Sequence, residues 1–191
     1  MRRLFSTCVA VCGLMLGATF DAGSQAPGAF GEKIVRGTRI DIQDRPWQAT
    51  LRITYSDGLS GYCGGAVIAK HWIVTAAHCL VDAVKVKVKV GVTDISHGRW
   101  VEAQDFIVQE KFDAKKFDDH PALAEHDSAL VYVASFLPAT AIPLADFATP
   151  IAIDEDLRVA GHGNRSERGK KSDELLEAVV PYIDTRHAAR H

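Results

Sequence analysis

The chain has 191 residues, 47% of them hydrophobic, which is ample for a buried core and far from the low-hydrophobicity, high-charge profile of a disordered protein. Its 22 Lys plus Arg nearly balance 24 Asp plus Glu, and a formal charge of -2 gives no electrostatic footprint for nucleic acid or an anionic membrane surface as a partner. Composition describes a globular domain and leaves function to the motifs.

Met1, Arg2 and Arg3 give a positive start, and Leu4 to Ala18 form a mostly apolar stretch, the pattern of an export signal. The stretch is too short and too rich in Gly, Ser and Thr for a membrane span, and no later segment is long and apolar enough to be one. Residues 1–24 are therefore read as a signal peptide, with a cut after Ala18 or after Ser24 equally compatible with the small-residue preference. The mature protein is expected to be secreted or periplasmic, with no membrane contact once the signal is removed. That removal takes away Cys8 and Cys12 and leaves Cys63 and Cys79, an even pair in an oxidising compartment, which predicts a disulfide.

Asp21 to Lys33 is rich in Gly, Ala, Ser and Pro without apolar periodicity, so residues 25–33 read as a pro-segment. From Ile34 onward come short runs bounded by turn residues: Gln48 to Tyr55, a Ser56-Asp57-Gly58 turn, Gly65 to Ala69, His71 to Ala76, and Lys85 to Val90. In the last of these, strict alternation predicts three valines on a buried face and three lysines on a solvated one. Trp100 to Glu110, Ala129 to Val133, Leu157 to Ala160 and Leu175 to Ile183 are further strand candidates. No window of 12 or more residues carries an amphipathic helical period, so the mature chain is expected to be all-β, a barrel or a sandwich.

Thr75-Ala76-Ala77-His78-Cys79 follows an apolar strand, and three small residues ahead of the histidine leave room for its imidazole to face a cleft. Cys63-Gly64-Gly65-Ala66-Val67-Ile68 lies upstream, and His71-Trp72-Ile73-Val74 leads into the histidine. This pattern resembles the trypsin-like serine proteases. The resemblance continues in order through Ile34-Val35-Arg36-Gly37, Pro46-Trp47-Gln48-Ala49, His126-Asp127-Ser128-Ala129-Leu130, and Val159-Ala160-Gly161-His162-Gly163, where His162 replaces the usual tryptophan. It implies an all-β double barrel over residues 34–184, with the first barrel complete and the second truncated.

The resemblance implies His78 as general base, taking a proton from a serine and returning it to the leaving amine, and Asp127 as the group that fixes its tautomer. Asp118 and Asp119, in a charged stretch, are the alternatives to Asp127. Cys63 and Cys79 carry over as the disulfide bracing the histidine loop, and Lys33 and Ile34 as an activation cleavage site whose new amino terminus inserts into the protein. The family needs no cofactor, and its partner is a polypeptide substrate or a bound protein.

The Gly-Asp-Ser-Gly-Gly motif that carries the family's nucleophile does not occur in the sequence. Ser128 is expected to point away from Asp127 on a strand, and Ser166 and Ser172 to lie in a surface loop spanning Asn164 to Asp173. Residues 185–191 do not continue the strand pattern and read as an unstructured tail, out of frame with what precedes it. A metal site built on His187 and His191 has no ligand spacing to support it. The expectation is thus a serine endopeptidase by family, with no serine-directed turnover from these 191 residues. The alternative is an inactive homologue acting as a secreted protein-binding module.

Overall fold

Gln48–Tyr55 alternates around Leu51 and Ile53, both fully buried, with Arg52 exposed between them. It is the central strand of a computed structural model that describes residues 37–119, 125–135, 137–146, 148–163 and 172–183. The expected leader, pro-segment, Lys33–Ile34 junction and tail, with Ser166, lie outside the described residues.

The elements are β1 (Thr38–Arg39), a 3-10 turn (Ile42–Asp44), β2 (Gln48–Tyr55), β3 (Ser60–Ala69), β4 (Trp72–Thr75), β5 (Ala83–Val90), β6 (Val101–Glu102), β7 (Asp105–Val108), α1 (Ala114–Asp119), β8 (Ala129–Tyr132), β9 (Asp156–Gly161) and β10 (Leu176–Pro181). The expected turn at Ser56-Asp57-Gly58 joins β2 to β3. Gly58 takes the positive φ the bend requires, and Leu59 N–H donates to Asp57 Oδ1 at 2.9 Å.

Seven strands form one antiparallel sheet in the order β6-β5-β2-β3-β4-β8-β7. Its two outer strands are consecutive in the chain, separated only by Ala103 and Gln104. Ala103 N–H donates to Val86 O on the β5 side and Gln104 N–H to Tyr132 O on the β8 side. The expected strand Trp100 to Glu110 is thus one bent segment that pairs with both ends of the sheet and closes it into a barrel, which removes exposed edges. Leu51, Ile53, Val67, Ile73, Val86, Val88, Val131 and Val133 fill the interior, each at most 2% exposed.

One prediction for β5 needs correcting. Val86 and Val88 are buried as expected, but Lys89 is not solvated: it is 3% exposed. The segment after Gly91 folds back over that face, and Lys89 Nζ donates to Ile95 O at 2.6 Å and His97 O at 2.7 Å while sitting 4.6 Å from the Trp100 ring centre. Burial lowers the Lys89 pKa, and the Asp94 carboxylate opposes that shift in part.

β1, β10 and β9 form a second antiparallel sheet. His162, buried at its junction with the barrel, accepts at Nδ1 from Thr50 Oγ1 (3.0 Å) and donates from Nε2 to Thr93 O (3.3 Å). Thr93 O can only accept, which fixes the neutral tautomer. Ser172, expected on a surface loop, is also corrected: it is 8% exposed, and its N–H donates to Gly163 O. Val159 and Val180 share one face of this sheet and are 43% and 38% exposed.

Candidate active site

The register of the barrel builds the site. β4 pairs with β8 antiparallel, with Thr75 opposite Ala129. Residues just after Thr75 and just before Ala129 therefore emerge at the same end of the barrel, although 49 positions separate His78 from Asp127. Small residues make the turn possible: Ala77 is fully buried beneath the histidine, and Leu80 N–H closes the turn on Ala77 O. The Cys63–Cys79 disulfide forms as predicted and ties this turn to β3, with the two Cα atoms 6.3 Å apart.

Asp127 holds His78 twice. Its Oδ1 accepts the His78 backbone N–H at 2.9 Å and its Oδ2 accepts the ring Nδ1–H at 2.8 Å. Because the carboxylate is an acceptor, the proton of the neutral imidazole resides on Nδ1, and Nε2 keeps its lone pair. Nε2 lies 3.5 Å from Cys79 Sγ. Both side chains are partly accessible, at 26% for His78 and 22% for Asp127, so the pair can be reached from solvent. Of the carboxylates weighed in the sequence, Asp127 is the one bonded to the imidazole, and Asp118 and Asp119 stand exposed on α1.

Ser128 lies in the loop just before β8, exposed, and its carbonyl accepts Gln109 N–H. Donor atoms of Cys63, His78 and Cys79 gather within 4.8 Å. The two sulfurs are joined in the disulfide and offer no thiolate, so the cluster lacks the charge a metal ion requires. Sequence reasoning missed Phe117, whose ring stacks on the imidazole at 4.6 Å between centroids. Its only signal was an aromatic residue in an otherwise charged run.

A sequence model of the trypsin family matches residues 34–191. The chain belongs to the trypsin family of serine peptidases. Among solved structures, the trypsin-family chain is similar to GrC, with 19% identity and a TM-score of 0.67 over 76% of this chain and 64% of that one. It is also similar to the HL collagenase, with 26% identity and a TM-score of 0.62 over 82% of this chain and 66% of that one. The chain thus spans just under two thirds of the length of either structure. Among the described residues no helix is long and apolar enough to cross a membrane.

Proposed function

We propose that this trypsin-family chain carries the base and orienting carboxylate of an exported serine endopeptidase. The observation that carries the reading is the double hold of Asp127 on His78, which leaves the Nε2 lone pair free to act as a base. Nε2 takes the proton of a serine hydroxyl as its oxygen attacks the peptide carbonyl carbon. It then gives that proton to the leaving amine as the acyl-enzyme forms, and Asp127 stabilises the imidazolium between the two steps. Substrates are polypeptides.

The chemistry needs a serine in a Gly-Asp-Ser-Gly-Gly setting, and the 191 residues contain none. The proposal assigns residues 1–24 to a signal peptide, 25–33 to a pro-segment and 34–184 to an incomplete peptidase domain, with activation by cleavage between Lys33 and Ile34. Without the serine segment, the Asp127–His78 pair has nothing to activate and no oxyanion hole to work with.

A fluorophosphonate probe tests this directly. The 191-residue chain is expected to stay unlabelled, and covalent labelling would refute the assignment. A protein carrying the same barrel together with a Gly-Asp-Ser-Gly-Gly segment is expected to label at that serine, and H78A in it to lower kcat by about 10,000-fold or more. If a secreted, stably folded form never contains that segment, the protein is instead a binding module that presents the barrel's loops. Resequencing the DNA past codon 184 and translating all three forward frames decides which form the gene encodes.

A further inference from the structure

The imidazole of His78 is restrained at its edge by Asp127, but one hydrogen bond at Nδ1 leaves the ring able to tilt about that contact. The face of the ring has its own partner. Phe117 lies with its ring 6° from the imidazole plane and 4.6 Å from its centre. At an ordinary contact separation of about 3.5 Å this is an offset stack, displaced laterally by about 3 Å, the arrangement favoured by ring quadrupoles.

Phe117 is built to stay there. It is the buried residue of α1, at 9% exposure, and Phe112 packs against it at 5.9 Å and 54°. Asp113 starts the helix: its Oδ1 accepts Lys116 N–H at 3.0 Å and its carbonyl accepts Phe117 N–H at 3.0 Å. The segment hangs from the same strand end as the carboxylate, because Phe112 N–H donates to Gln109 O and Gln109 N–H to Ser128 O, next to Asp127. Lys116 pairs with Glu125 at 3.2 Å on the other side of that loop. Edge restraint and face restraint on His78 therefore come from one folded unit.

We infer that Phe117 is a positioning residue for His78. Its ring fixes the imidazole plane so that Nε2 keeps a single direction, and its π face favours the imidazolium that forms when the base takes a proton. The inference rests on reading His78 as the base. Its test uses no turnover, so failure of the peptidase reading and failure of this one are separable.

The test is NMR of the full chain with labelled histidine, comparing wild type, F117L and F117Y. In wild type the carbon-bound ring protons of His78 are expected upfield of a free imidazole, with cross-relaxation to Phe117 ring protons. Absence of both overturns the inference without any variant. Leucine fills much of the volume but has no π face. F117L is therefore expected to lose the upfield shift and to exchange the Nδ1 proton with water about five- to tenfold faster. Tyrosine restores the face, and F117Y is expected to restore both readouts. Wild-type values in F117L, or a folded F117Y chain that fails to recover them, assign Phe117 to packing alone.

Discussion

Lys89→Met separates two opposing costs that the barrel holds in balance. The ammonium of Lys89 donates to Ile95 O and His97 O and lies against Trp100, in a side chain that is 3% exposed. Hydrogen bonds from a charged donor contribute about 1.5–3 kcal/mol each, and a desolvated cation–π contact up to about 2 kcal/mol. Against them stands the desolvation of the ammonium, an effective penalty of several kcal/mol. Methionine of similar length escapes that penalty but leaves two carbonyls without their donor. His97 is exposed and Ile95 only half-buried, so water replaces the donor in part.

The net expectation for K89M is a loss of about 2 kcal/mol, or about 4–8 °C in Tm for a chain of this size, with faster amide exchange confined to residues 91–100. Thermal unfolding followed by circular dichroism reads the first and hydrogen exchange the second. A variant that melts within about 1 °C of wild type would show that desolvation cancels the contacts and that Lys89 does not organise this loop.

The pH dependence supplies an independent check. Burial lowers the Lys89 pKa below 10.5, so between the folded value and 10.5 the unfolded chain binds more protons and stability rises with pH. Tyr55 acts in the opposite sense: burial first, and then Asp57, raise its pKa above 10.0, so its contribution is present below pH 10.0 and falls as pH climbs through the folded value. Both wild type and K89M contain Tyr55. The difference between their stabilities isolates Lys89 and is expected to grow with pH in the alkaline limb. A flat difference refutes the burial argument.

Three further perturbations test other parts of the barrel. Replacing both Cys63 and Cys79 by alanine is expected to cost about 3 kcal/mol in urea unfolding, the chain-entropy value for a loop of this length. Gly65→Ala places a Cβ 2.8 Å from Val74 O and 2.9 Å from Ile73 Cγ2, so G65A should lower stability by about 1–3 kcal/mol, read as a lower urea midpoint at unchanged slope. On the acid side, hydrogen bonding to Lys85 lowers the Glu102 pKa from 4.5, so its contribution is present above pH 4.5 and is lost as pH falls through the folded value. E102Q should therefore show a shallower acid limb in urea midpoints while matching wild-type pH dependence near neutrality.

How much of this was legible in the sequence depended on how local the cause was. Gln48–Tyr55 is a strand at the predicted boundaries because Leu51 and Ile53 alternate with polar residues and a turn with Gly58 follows. The resemblance carried by the His78 and Asp127 motifs pointed to two residues that the structure hydrogen-bonds to each other, but only the Thr75–Ala129 register accounts for their meeting. Lys89 shows where alternation fails. Period-2 patterning assigns a side chain to a face of its own strand and says nothing about what later folds over that face. The segment that carries Ile95, His97 and Trp100 folds over that face and makes the Lys89 position a buried cation site.

Phe117 is the harder case, because a six-residue helix in a charged run carries no periodic signal and its partner lies 39 positions upstream (117 − 78). What reveals it is packing against a ring whose role was already suspected. A histidine and the carboxylate it bonds are chemical types that a sequence pattern can carry. The aromatic face stacked on the imidazole is a contact, and contacts between distant segments become visible only once the strands that bring them together are paired.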